Sequence, residues 1–189
     1  GAGGLSEGFV REGFNPVAHV EMNPDACKTI ETRMAYLYLK SIGEEETYYQ
    51  YLKGDISRKE FLDQIPAEIK KSVINSEISS ESISQIFEKI DSLTDGENID
   101  LIIGGPPCQA YSVAGRARDP KNMQDDPRNY LYLEYVKFLK KYKPKMFVFE
   151  NVPGITSANN GEHFENIKKA IDAAGYKFDF KILNSRDYG

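Results

Sequence analysis

The sequence is poor in the groups that staple, ligate or anchor a chain. It has two cysteines, Cys27 and Cys108, in 189 residues. Two thiols so far apart make no disulfide framework, which excludes the small cross-linked secreted class and fits a reducing, cytoplasmic setting. It has two histidines, His19 and His163. Neither has a cysteine near it, so no metal-ligand spacing is present and no metal is expected. His19 lies in an apolar stretch and is expected to pack in the core rather than bind a ligand. No apolar run nears the roughly 18 residues of a membrane span, and no signal-peptide pattern is present, so no membrane partner is expected. Positive charge is not in excess: the net charge is −5. That argues against a large nucleic-acid surface here, while leaving room for a local basic patch.

What is present is ordinary soluble composition, 40% hydrophobic and 28% charged, over a length that suits one domain with a real core. The organising stretch is Gly104-Gly105-Pro106-Pro107-Cys108-Gln109-Ala110-Tyr111-Ser112. Before it, Ile99 to Ile103 is an apolar run of strand length and reads as a buried parallel strand. Two glycines and two prolines stop that strand, so Cys108 is expected on a turn at its carboxyl end, the edge where open α/β sheets bind ligands. Position alone leaves a buried structural thiol and a reactive one about even. The rigid Pro-Pro before Cys108 and the polar residues after it favour the reactive thiol.

Two other strands end in acids. Gly1-Ala2-Gly3-Gly4 lets backbone N–H groups approach a ligand, and the following helix offers its positive end. Phe14 to Glu21 then reads as a strand, and Glu21 sits where nucleotide-binding α/β folds place an acid for ribose hydroxyls. The first strand of that motif is expected before Gly1. Asn23-Pro24 starts a helix, and Cys27, Ile30, Met34 and Leu37 recur at helical spacing, which makes Cys27 a core residue. Residues 58–95 read as a helical insertion. Further on, Leu131 to Tyr142 forms a helix ended by Pro144. Met146 to Glu150 is the next buried strand, and parallel pairing would bring Glu150 and Cys108 to one crevice. Glu150 is then either an acid in that crevice or a strand-end carboxylate facing water. A last helix spans about Glu162–Ala174, and a final strand is expected over Tyr176–Leu183. Between Ser112 and Arg128 there is no periodicity; its basic residues Arg116, Arg118, Lys121 and Arg128 either meet phosphates or pair with Asp119, Asp125 and Asp126.

Taken in order, Gly1-Ala2-Gly3-Gly4, Pro107-Cys108-Gln109 and Glu150-Asn151-Val152 resemble the cofactor, nucleophile and acid motifs of cytosine-C5 DNA methyltransferases. The likeness extends to Glu21, Gly54-Asp55-Ile56, Asp126-Pro127-Arg128-Asn129-Tyr130-Leu131 and Asn160-Gly161. The resemblance implies an α/β, Rossmann-like fold, mostly parallel sheet with helices on both faces, using S-adenosyl-L-methionine. It implies that Gly1, Ala2, Gly3 and Gly4 border the methionine part of the cofactor, that Glu21 holds the ribose and that Met22 lies against the adenine. Asp55 and Ile56 would touch the adenine ring, and Gly105, Pro107 and Leu131 would line the rest of the pocket. Cys108 would be the nucleophile. Glu150 would hydrogen-bond the ring nitrogen of the base, and Asn151 would fix the base or the loop. Gln109, Ser112, Arg116 and Arg118 would contact the base or the DNA, with the loop of about residues 112–127 closing over a flipped-out cytosine. Double-stranded DNA is the implied partner, with a restriction endonuclease system possible in this family.

The family also has an Asp-Leu-Phe-type segment, a Gln-x-Arg-x-Arg motif and a target-recognition domain, none of which is in these residues. The 189 residues by themselves are therefore expected to show little specific methylation. Two other readings stand beside this one: a methyltransferase-fold subunit completed by a partner chain, and a nicotinamide-dependent oxidoreductase. The second gives no role to Pro107-Cys108-Gln109 or Glu150-Asn151-Val152.

Overall fold

The computed structural model describes residues 1–106 and 130–188. The chain divides into two compact units, residues 1–97 and 98–189, and both are of α/β type, each with a parallel two-stranded sheet.

The first unit opens with α1 (Gly4–Arg11), which starts from Gly3 in the left-handed region at φ 91°. Strand β1 is shorter than the apolar run suggests, His19–Glu21. The residues before it are diverted: Phe14 N–H bonds back to the Phe9 carbonyl at 3.0 Å, the two rings meet edge to face at 5.5 Å, and Pro16 has no N–H for a ladder. Helix α2 (Pro24–Ile42) begins where Asn23 and Pro24 place it. The Asn23 side chain accepts from the Asp25 and Ala26 N–H groups at 2.9 and 3.1 Å, satisfying donors that a helix start leaves open. Its buried residues Cys27, Ile30, Met34, Ala35 and Leu39 form the inner stripe.

Helices α3 (Glu45–Lys53), α4 (Arg58–Asp63) and α5 (Ala67–Lys71) follow. A reciprocal capping box between Ser57 and Glu60 starts α4. Phe61, fully buried, anchors a cluster with Ala35, Leu39 and Ile65, and its ring stacks on Tyr51 at 4.7 Å. The stretch 58–95 is not wholly helical. It contains β2 (Val73–Asn75), which pairs in parallel with β1 in the register His19↔Val73, Val20↔Ile74, Glu21↔Asn75. Helix α6 (Ile83–Thr94) closes the unit, burying Ile83, Ile86 and Ile90.

The second unit is built on β3 (Leu101–Gly104) and β4 (Met146–Phe149), paired in parallel from Leu101↔Met146 to Gly104↔Phe149. Helix α7 (Leu131–Tyr142) packs on them through Tyr135. The Tyr135 hydroxyl lies 3.2 and 3.1 Å from the Ile102 and Val148 carbonyl oxygens, one on each strand. Burial pushes its phenol well above the ordinary value. Two 3-10 turns, Pro153–Thr156 and Ala158–Gly161, lead into α8 (Glu162–Asp172). Tyr132, Val136, Ile155, Ala158, Ile167 and Ile171 form the core.

The expected strand over residues 176–183 is absent. Among the described residues no strand pairs with it, and an unpaired strand leaves its backbone groups unsatisfied. The segment packs by side chains instead. The Tyr176 hydroxyl donates to the Pro144 carbonyl at 2.8 Å, and Phe178 meets the rings of Phe147 and Phe164 edge to face. Among the described residues no helix is long and apolar enough to cross a membrane.

Candidate functional site

Parallel pairing sends both strands of a sheet to the same edge, so in each unit the carboxyl ends lie together. In the first unit that edge carries Glu21. Its carboxylate accepts from the Gly1 nitrogen at 2.7 Å through one oxygen and from the Asn23 N–H at 2.9 Å through the other. The opening glycines and Glu21, separated by 20 positions in sequence, are thus brought together. Burial alone would raise the Glu21 pKa, but hydrogen bonds to its carboxylate, among them those from the Asn23 and Met22 N–H groups, outweigh it, so the carboxyl titrates below its ordinary value. Met22, the next residue, is 61% exposed, which leaves an apolar side chain beside the acid.

α1 is tied down on two sides. The Ser6 hydroxyl lies 3.1 Å from His19 Nε2, and Glu7 takes Nε of Arg33 at 2.7 Å along with the second guanidinium nitrogen. His19 is a packed residue, as its apolar setting suggests. Its Nδ1 is buried without a partner among the described residues, and burial lowers its pKa. Among the described residues no group of three His, Cys, Asp or Glu side chains is placed to hold a metal ion.

Asp55 and Ile56 are elsewhere in this unit. They stand in the turn from α3 to α4, where the Asp55 N–H bonds the Gln50 carbonyl at 2.9 Å. Asp55 is exposed, while Ile56 packs against the Phe61 cluster. The strand that does pair with β1 ends at Asn75 and is followed by Ser76-Glu77-Ile78, and the Ser76 N–H bonds the Glu21 carbonyl at 3.1 Å. An acid followed by an apolar residue therefore comes directly after the residue bonded to Glu21. The sequence held a sign of it: the β-branched pair Val73-Ile74 shortly before an acid repeats the pattern Val20-Glu21.

In the second unit the edge is made of two backbones in contact. The Glu150 N–H donates to the Gly104 carbonyl at 2.9 Å. A Cβ on Gly105 would stand 1.9 Å from the Glu150 carbonyl oxygen and 2.9 Å from its carbon. Only glycine permits that approach. Asn151 completes the join: its Nδ2 donates to the Pro106 carbonyl at 3.0 Å, and its Oδ1 accepts from the Val152 N–H at 2.9 Å. The main chain entering Pro107-Cys108 is thereby held to the end of β4. Glu150 is exposed at this edge, and Leu131, half-buried, opens α7. Pro107, Cys108, Gln109, Ser112, Arg116 and Arg118 lie outside the described residues, as does the expected loop of residues 112–127.

Comparison with known proteins covers both units. Residues 67–189 match the model of the C-5 cytosine-specific DNA methylase family. The type II methyltransferase M.Bpa9945I of Bacillus paralicheniformis is 39% identical over an alignment that takes in 93% of this chain and 44% of the relative. The type II methyltransferases M.FnuDI of Fusobacterium nucleatum and M1.HphI of Haemophilus parahaemolyticus are 34% and 32% identical over 100% of this chain, which covers 41% and 40% of their lengths. The chain thus spans less than half the length of each of these three relatives.

Proposed function

The chain belongs to the C-5 cytosine-specific DNA methylase family, and we propose on that premise that it methylates carbon 5 of cytosine in DNA. The observation that carries this reading is the join of Gly105 and Asn151 to the ends of β4 and β3. It ties the main chain at Pro106, two residues before Cys108 in sequence, to the strand end that carries Glu150, which supports a reaction shared between those two residues.

Carbon 5 of cytosine is a poor nucleophile. In the proposed reaction the Cys108 thiolate adds to carbon 6, and the ring electrons move toward carbon 5, which would take the methyl group of a sulfonium donor as the methyl–sulfur bond breaks and its electron pair stays on sulfur. Glu150, in its acid form, hydrogen-bonds ring nitrogen 3 and offsets the charge that develops there. Loss of the carbon 5 proton then expels Cys108 and restores the aromatic ring. A free thiol titrates near ~8.5, so the site must favour the thiolate or deprotonate it during attack. The target base must leave the helix stack to be reached. Gln109, Ser112, Arg116 and Arg118 are proposed to contact the base and the DNA backbone.

The residues at the first edge fit S-adenosylmethionine, which supplies an electrophilic methyl group when bound. Gly1, Ala2, Gly3 and Gly4 approach without side-chain bulk. The Glu21 carboxylate, kept charged and backed by the Asn23 N–H, suits a pair of ribose hydroxyls. Exposed Met22 suits an adenine face. At the adenine side we propose Glu77 and Ile78, which follow the Ser76 bonded to the Glu21 carbonyl, in place of Asp55 and Ile56 in the turn from α3 to α4. Gly105, Pro107 and Leu131 are the proposed remaining lining. The type II names of the relatives support a restriction-modification setting with double-stranded DNA as partner.

The test is chemical trapping. With S-adenosylmethionine and duplex DNA carrying 5-fluorocytosine at the target position, the protein should form a denaturation-resistant adduct, because fluorine cannot leave as the proton does. The Cys108→Ser variant should form none. An adduct that persists in Cys108→Ser, or labelling at another residue, would remove Cys108 from the reaction.

A further inference from the structure

The turn that carries Glu21 and Met22 is braced by a residue to which the resemblance gives no role. Asn75, the last residue of β2, is the register partner of Glu21. Its Nδ2 stands 3.0 Å from the Glu21 carbonyl, 3.0 Å from the Met22 carbonyl and 3.4 Å from the Cys27 sulfur. The Cys27 thiol in turn donates to the Glu21 carbonyl at 3.2 Å. One side-chain amide, with two protons to give, thus spans three acceptors across the turn from β1 into α2.

We propose that Asn75 is a positioning residue for the cofactor's ribose and adenine, acting by fixing the main chain of Glu21 and Met22. This rests on the reading of that edge as the S-adenosylmethionine site. The Glu21 carbonyl also accepts from the Ser76 N–H and the Cys27 thiol, and the Asn75 amide ties the Met22 carbonyl to that same anchored point. The amide holds two consecutive carbonyls, so the peptide planes on both sides of the Met22 Cα are set. The Asn23 N–H, which shares a peptide plane with the Met22 carbonyl, is then aimed at the Glu21 carboxylate. Asparagine is the residue type this needs. Aspartate has the same shape but no donor, and would face two carbonyls with a charge. Asn75 is exposed, so its bonds brace the turn rather than fill a core. A site is only as well placed as the groups that hold its first contacts.

The experiment uses protein labelled with 13C at methionine methyl groups, titrated with S-adenosylmethionine by calorimetry and followed by NMR. Met22 reports the turn, and Met34, 8% exposed in α2, reports the core. In Asn75→Ala and in isosteric Asn75→Asp, the dissociation constant should rise about tenfold, the size expected for losing one to two such bonds. The free Met22 methyl signal should move and lose most of its cofactor-induced shift, while Met34 stays in place. Wild-type affinity with an unmoved Met22 in both variants would overturn the proposal. So would a weaker affinity accompanied by an equal collapse of the Met34 signal and of thermal stability in both variants, since that is a structural role only. Glu21→Gln separates this from the site reading. If Glu21→Gln loses the cofactor and the Asn75 variants do not, only the role of Asn75 falls. If Glu21→Gln binds as wild type, the site reading falls and the proposal with it.

Discussion

Gly105 is the residue with least freedom. A methyl group there would overlap the Glu150 carbonyl at 1.9 Å, and the obstacle is backbone, which cannot swing aside as a side chain can. Gly105→Ala must therefore separate the ends of β3 and β4. The expected cost is on the order of 1–3 kcal/mol, as for other overpacked sites. Methyl transfer should fall far more, at least a hundredfold, because a displacement of about 1 Å in the attacking group has that effect. Chemical denaturation and a methyl-transfer assay on the same sample check both numbers. A variant that is destabilised but fully active would show that the join does not set the catalytic geometry. The need for glycine here is partly legible from the sequence, since a Gly-Gly-Pro-Pro string forces a turn. Its partner is not, because the contact is with the backbone of Glu150, and backbone atoms look the same at every position.

At the scale of elements, Phe61 is the pin. It ties α4 to α2 and α3 through Ala35, Leu39 and the stacked Tyr51 ring. Phe61→Ala should cost about 3–5 kcal/mol, visible as a lower denaturation midpoint. Cofactor affinity, measured below that midpoint, should change less than threefold, because the edge with Glu21 is held by β1, β2 and Asn75. Elements with their own start and stop marks are readable in advance. Asn23-Pro24 opens α2, Pro144 follows α7, and β3 and β4 are apolar runs closed by glycine or an acid. β2 escapes such reading because three residues carry no period, and its strand character comes from the parallel partner β1. The reverse holds for residues 176–183. Their alternation of aromatic and polar side chains looks like a strand, but pairing decides strands, and here side-chain packing on Phe147 and Phe164 takes its place.

For the whole molecule, acid should act in two stages. Burial holds the His19 imidazole below its ordinary value of 6.5, so the unfolded chain binds that proton more readily. Stability is then full above pH 6.5 and falls as the pH drops below it, until the folded form also protonates. Glu7, held down by Arg33, and Glu21, held down by its hydrogen bonds against burial, act in the same direction at lower pH. Their contribution is present above pH 4.5 and is lost as the pH falls through their lowered folded values. Denaturant midpoints measured from pH 8 to pH 3 should show both declines, and His19→Gln should remove the first alone. A single decline below pH 4.5 in the unaltered protein would place His19 in a wetter setting than its buried Nδ1 implies. At this scale the family was legible from short motifs in a fixed order, since each marks a strand end and a doubly wound sheet collects its strand ends on one side. The proposed adenine-side pair was less so, because Gly54-Asp55-Ile56 carries the matching letters while Ser76-Glu77-Ile78 follows the strand that pairs with β1.

The meeting of Gly105 with the Glu150 carbonyl also bears on how such a protein can change over generations. A reference point made of main chain against main chain carries no side-chain chemistry that drift could erode by degrees. Every single-residue exchange at position 105 meets the same wall, whatever its polarity or size. Variation is channelled away from this join, to positions such as the exposed surface of α7, where new side chains leave the two strand ends where they are.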